Sequence, residues 1–181
     1  MLTEFYQRKM SGRFESFDHD GDGVVTQADF ELMANRAVSA LGLSKQAAQG
    51  KALLEGARQY WRNLAEAADS DGDGRITSEE FAGSITNSKV GTPQGQAQAA
   101  QPWVDALVQA ADSDGDGRLD SQECKRMLEV LGVEPAAVEG SAPYLAEADG
   151  SIKIDTVREA ALKLYTADTP YNPANASFGK F

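Results

Sequence analysis

Cysteine is nearly absent. Cys124 stands alone, so no internal disulfide can form, and the chain suits a reducing compartment. Histidine is as scarce, with only His19. No Ser/His/Asp set, Cys/His pair or phosphate-binding glycine loop appears, which argues against an enzyme. Basic residues are outnumbered: 17 Lys and Arg face 28 Asp and Glu, for a net charge of -11. That balance argues against nucleic acid or an anionic membrane surface as a partner. No run approaches the roughly 18 apolar residues of a spanning helix. The first ten residues lack the apolar core of a secretion signal, and Gly does not follow Met1. A soluble, cytoplasmic monomer is expected. Its 181 residues are enough to bury a core as one domain or two small lobes.

The acid is concentrated in short loops. Asp69 to Glu80 reads Asp-Ser-Asp-Gly-Asp-Gly-Arg-Ile-Thr-Ser-Glu-Glu. Asp69, Asp71 and Asp73 fall at positions 1, 3 and 5 of a twelve-residue loop. Gly74 permits the sharp turn at position 6, and Arg75 offers its backbone carbonyl at position 7. Thr77 at position 9 can hold a water, and Glu80 at position 12 can give both oxygens. This is the pattern of the EF-hand calcium loop. Converging carboxylates repel one another, so a cation is required among them. Hard oxygen ligands in a flexible ring suit Ca2+ better than the smaller, octahedral Mg2+.

Two further loops repeat the pattern. The first runs from Asp18 to Asp29, with Asp18, Asp20, Asp22, Val24, Thr26 and Asp29 at the ligand positions. Asp29 is one methylene shorter than Glu, so weaker Ca2+ binding and better Mg2+ tolerance are expected there. His19 occupies position 2, whose side chain points away from the ion. The third runs from Asp112 to Glu123 and offers Asp112, Asp114, Asp116, Arg118, Asp120 and Glu123. It carries the most carboxylate and ranks with the second loop for Ca2+. A fourth loop emerges if Gly150 is the turn glycine. Leu145 and Thr156 then replace the anchoring acids, while Glu147 and Asp149 remain. A structural hand without metal is expected. EF-hands pair through position 8, so Val25 should meet Ile76, and Leu119 should meet Ile152.

Helical periodicity flanks each loop. Phe14 and Phe17 precede the first, with a first helix capped at Thr3 and carrying Phe5 and Met10. Phe30, Met33, Ala37 and Leu41 follow it, and Gly42 ends that helix. Ser44 is expected to cap a long helix running to Ala68. In that helix Tyr60 and Trp61 can anchor either a core or a binding surface. The residues from 91 to 102 are punctuated by Gly91, Pro93, Gly95 and Pro102 and read as a linker, although their Ala/Gln portion suits a helix. Cys124 falls just after position 12, where Phe30 and Phe81 fall in their loops, and reads as a buried thiol. The division is then an N-terminal hand pair (1–90), a linker (91–102), a C-terminal pair (103–166) and a tail (167–181). Tyr171, Phe178 and Phe181 either tuck that tail into the protein's own cleft or meet a partner.

Similar Asp-rich loops occur in dockerin and thrombospondin-type modules without a helix on both sides. Here helices flank each loop, position 8 is apolar, and position 12 is acidic three times over. With four hands, a long first-to-second spacing, Asp29 at position 12 and an aromatic tail, the chain resembles the calerythrin and sarcoplasmic calcium-binding protein family. The resemblance implies a compact all-α fold of four EF-hands in two pairs, joined by short two-stranded bridges. It implies Ca2+ buffering, often with Mg2+ competition. In the calerythrin branch, which is bacterial, the second hand is the atypical one; here it is the fourth. An intracellular Ca2+ buffer or transporter is therefore expected. The alternative is a Ca2+ sensor that opens an apolar groove to a target protein. Sensors favour Met-rich grooves, and this chain has only 4 methionines.

Overall fold

A computed structural model describes residues 12–87, 92–130, 147 and 150–166. Helix α1 covers 12–17 among them. Strand β1 (Val24–Thr26) and helix α2 (Gln27–Ala40) complete the first hand. Helix α3 (Ala48–Ala68), strand β2 (Arg75–Thr77) and helix α4 (Ser78–Asn87) form the second. Helix α5 (Pro93–Ala111), strand β3 (Arg118–Leu119) and helix α6 (Ser121–Val130) form the third. Strand β4 (Ile152–Lys153) and helix α7 (Ile154–Thr166) belong to the fourth. Thr3, Phe5, Met10, Leu145, Asp149 and the tail 167–181 lie outside the described residues. Among the described residues no helix is long and apolar enough to cross a membrane.

Two antiparallel bridges pair the hands as position 8 requires. Val25 lies opposite Ile76, and Leu119 opposite Ile152. All four side chains are buried. A strand this short is not stable alone. The apolar residue at its centre, covered by the helices on either side, is what holds it.

The exit helices start from the loops themselves. Thr26 caps α2 by accepting from the Ala28 N–H at 3.2 Å, and the Asp29 carboxylate accepts from the Thr26 N–H at 2.8 Å. Thr77 and Glu80 repeat that exchange at α4. Asp120 and Glu123 repeat it at α6. Each is a reciprocal capping box spanning positions 9 and 12 of a loop. Helix α2 ends at Gly42, whose φ of 67° is left-handed. The Gly42 N–H donates to the Ser39 carbonyl, and the Leu43 N–H to that of Val38.

Two segments differ from expectation. Ser44 does not cap α3, which begins at Ala48 behind an Ala47 that makes no side-chain cap. Instead the Ser44 hydroxyl accepts from the Gln46 N–H and its carbonyl from the Ala47 N–H, forming a turn. That turn folds onto Gly50, where a Cβ would stand 2.2 Å from the Ser44 carbonyl oxygen. The stretch read as a linker, whose Ala/Gln portion suited a helix, carries the first half of α5. Thr92 accepts from the Gly95 N–H at 3.0 Å, Pro93 opens the helix, and Pro102 lies inside it. Proline is tolerated in a first turn because its missing N–H would be unpaired there anyway.

Helices α3 and α5 cross closely at Gly56. A Cβ there would meet the Pro102 carbonyl oxygen at 2.7 Å. The Asn63 side-chain amide donates to the Ala99 carbonyl at 3.2 Å along the same contact. One continuous apolar cluster links both hand pairs. At its N-terminal end Phe17, Phe30 and Tyr60 pack with ring centroids 5.1–5.6 Å apart, and Trp61 lies 5.8 Å from Phe30. Tyr60 and Trp61 are therefore core residues. Cys124 is buried as expected, and burial pushes its thiol pKa up.

Phe30→Ala should lower the unfolding free energy by about 3–5 kcal/mol at fixed calcium. Urea denaturation measures it. A loss below about 1 kcal/mol would place Phe30 outside a packed core.

Candidate metal centres

Each acidic loop is shaped by its first aspartate. Asp18 Oδ1 accepts from the N–H groups of Gly21 and Asp22, and Oδ2 from that of Gly23, at 2.8–3.1 Å. Asp69 accepts from Gly72 and Gly74. Asp112 accepts from Gly115, Asp116 and Gly117. Side chains at positions 3 and 5 likewise accept from N–H groups two residues on. These short turns need a left-handed backbone at position 6, where φ is 86° at Gly23, 80° at Gly74 and 81° at Gly117. The chain is thereby wrapped around a centre lined by carboxylate oxygens.

Three clusters result. Carboxylate oxygens of Asp18, Asp20 and Asp22 lie within 4.8 Å of one another, as do those of Asp69, Asp71 and Asp73. In the third loop Asp112, Asp114 and Glu123 converge in the same way. Val24, Arg75 and Arg118, expected to contribute carbonyls, each open a bridge strand. The position-12 residues close the loops. Asp29 accepts from the His19 N–H and from both the N–H and hydroxyl of Thr26. Glu80 accepts from the N–H and hydroxyl groups of Ser70 and Thr77. Glu123 accepts from both groups of Ser113 and from the Asp120 N–H. The Thr26 and Thr77 hydroxyls thus face a carboxylate. Ser70 and Ser113 at position 2 had no role in the sequence reading. The Asp-Ser-Asp order that begins both loops was the available signal.

Those bonds favour the charged carboxylate. The N–H and hydroxyl of Thr77 and Ser70 hold the Glu80 pKa down to about 2. Burial works to raise that of Glu123, but bonds from Ser113 and Asp120 outweigh it and keep it below the ordinary value. Burial, and then the neighbouring Arg36, depress His19, whose Nδ1 lies 3.3 Å from Arg36 Nη1. It faces that arginine and adds nothing to the carboxylate cluster.

The donor set fits a hard divalent cation. Every clustered side chain offers a carboxylate oxygen. Among the described residues no Lys or Arg forms an ion pair with any of the nine aspartates at positions 1, 3 and 5. These are three acidic loops suited to Ca2+. The fourth loop differs: Glu147 pairs with Lys153 Nζ at 2.9 Å and Arg118 Nη1 at 2.6 Å. Its turn glycine, Gly150, has a φ of 83°.

Comparison with known proteins agrees with this arrangement. A family model for an EF-hand domain pair matches residues 7–86, and one for an EF hand matches residues 104–128. Calerythrin from Saccharopolyspora erythraea is 32% identical over 81 residues, 45% of this chain and 46% of that protein. The aligned stretch thus spans under half the length of that curated relative. A calcium-binding protein from Streptomyces coelicolor, solved for its part in prokaryotic calcium-mediated regulation, is 32% identical with a TM-score of 0.75. That match covers 89% of this chain and 98% of the other. The sarcoplasmic calcium-binding protein of amphioxus is 22% identical with a TM-score of 0.70, over 100% of both chains, and shares the fold.

The low Glu80 pKa has a definite sign. Its contribution to the stability of the metal-free protein is complete above its ordinary value of 4.5 and is lost as pH falls through about 2. An NMR titration of the chelated protein should place the Glu80 carboxyl midpoint near 2, and Thr77→Val with Ser70→Ala should move it up. A midpoint at or above 4.5 would contradict the hydrogen-bond account.

Proposed function

We propose that this chain, which belongs to the calerythrin and sarcoplasmic calcium-binding protein family, is a Ca2+ buffer or carrier with three working EF-hand loops. Calcium binding goes with the family and with the three acidic clusters. The family is not catalytic. One observation carries the site assignment: three carboxylate clusters with no protein cation among the described residues, beside a fourth loop that has two. The proposed ligands are those read from the loops. They are Asp18, Asp20, Asp22, Val24, Thr26 and Asp29, then Asp69, Asp71, Asp73, Arg75, Thr77 and Glu80, then Asp112, Asp114, Asp116, Arg118, Asp120 and Glu123. When bound, the metal supplies the counter-charge. The chain's own residues hold the oxygens in place and start the exit helices.

Asp29 has the shorter reach, so the first loop is the one where Mg2+ competes. Residues 1–90 and 103–166 serve as the two hand pairs, in a cytoplasmic monomer.

Packing supports buffering over signalling. Helix α3 lies against α5, α2 against α6, and the apolar cluster runs through both pairs. Faces that a sensor would open to a target are already covered by the other half. The sensor reading keeps one specific support, since the Streptomyces coelicolor relative is described in calcium-mediated regulation. A dye that binds exposed apolar surface separates the two. Little change or a fall on adding Ca2+ is expected, whereas a large rise would establish a sensor.

Chelation should lower the melting temperature, because an ion that binds only the folded state stabilises it. An unchanged melting curve would contradict the reading. Asp112→Ala should remove one high-affinity site and Glu147→Ala none, as counted by titration calorimetry.

A further inference from the structure

Two ligand positions of the fourth loop, Glu147 and Ser151, are engaged by the chain's own donors. Glu147 stands at position 3, and Lys153 and Arg118 both reach its carboxylate. The Ser151 carbonyl, at position 7, accepts from the Glu147 N–H at 2.8 Å. Arg118 Nη1 also donates to the Ser151 hydroxyl at 3.0 Å. An oxygen and a carbonyl that would face an ion in a working loop are engaged by the chain's own donors.

Arg118 is the link between the two loops. Its backbone holds position 7 of the third loop, while its side chain crosses the bridge into the fourth. It lies opposite Lys153 in that bridge, and the neighbouring Gly117 carbonyl accepts from the Ile154 N–H at 3.2 Å. Arg75 occupies the same position in the second loop and forms no ion pair among the described residues. The long reach of Arg118 therefore follows from what the fourth loop offers it.

We propose that Glu147 is a positioning residue for the third metal loop. It draws the Arg118 guanidinium across the bridge and offsets one of the two positive charges, Arg118 and Lys153, that would otherwise stand uncompensated near Asp112, Asp114 and Asp116. Glu147 thus offsets one of the two cations, Arg118 and Lys153, that stand beside the neighbouring site, while the fourth hand holds no ion itself. This rests on the reading of the third loop as a calcium site. One unit of charge about 10 Å from a divalent ion, at a dielectric close to that of bulk water, changes binding by about three- to tenfold. Salt reduces the effect.

The test is a Ca2+ titration of the full chain at low salt. The amides of Gly23, Gly74 and Gly117 report the three loops separately by NMR, since each donates to its loop's first aspartate. E147Q should weaken the Gly117 transition by about three- to tenfold. The Gly23 and Gly74 transitions should stay within about twofold, beyond reach of the change. The double variant E147Q/R118M should recover at least half of the logarithmic loss, because methionine keeps the backbone carbonyl and removes the charge. An unchanged Gly117 transition in E147Q overturns the proposal. So does a loss that R118M fails to recover, which would make Glu147 a support for the fourth hand's own folding. A parent protein whose Gly117 amide never responds to Ca2+ would defeat the calcium reading of the loop, and the proposal with it.

Discussion

Carboxylate repulsion governs this molecule. Two like charges about 4 Å apart repel by roughly 4 kcal/mol at an effective dielectric near 20. A whole domain is stable by only about 5–15 kcal/mol. Asp18, Asp20 and Asp22 approach one another within 4.8 Å, and the chain does this in three loops. Backbone N–H groups relieve part of the strain by donating to each aspartate. They bring no net charge. The remainder requires a cation from outside, and an all-oxygen, flexible ring selects calcium by the hardness of its ligands.

The loops and the core are one structure because the same residues serve both. Thr26 and Asp29 close the first loop and also cap α2. Phe30 follows Asp29 directly and packs against Phe17, Tyr60 and Trp61. Phe81 and Cys124 take the corresponding place after Glu80 and Glu123, and both are buried. Position 8 then joins one loop to the next through Val25 and Ile76, or Leu119 and Ile152. Moving a carboxylate at position 12 moves a core side chain one residue away. That adjacency is the route by which ion binding would be coupled to folding. The fourth hand keeps the bridge and a buried residue, Val157, after position 12, but Thr156 replaces the acid there and Lys153 and Arg118 pair with its Glu147.

Much of this was legible in the sequence, for a physical reason. An EF-hand loop is a local device: its turns, its glycine and its position-8 residue fall within twelve residues, so spacing alone assigns them. The pairing of Leu119 with Ile152 followed from the period even though the fourth loop has lost its anchoring acids. Contacts outside the loops were less legible. Pro93, Gly95 and Pro102 read as punctuation, yet Thr92 caps the helix and Pro93 suits its first turn. Ser44 resembles a cap, but its carbonyl sits over Gly50. The reach of Arg118 to Glu147 spans 29 positions and depends on the bridge, so no local pattern announces it. Ser70 and Ser113 were readable in principle, since their hydroxyls lie in the same twelve residues as the glutamates they serve.

Anomalous diffraction from crystals of the full chain grown in ample calcium tests the central claim most directly. Three calcium peaks are expected, one inside each loop whose aspartates have no cationic partner among the described residues, with none beside Glu147. An acidic loop left without a peak, or an ion seated at Glu147 in place of Lys153, would contradict the account.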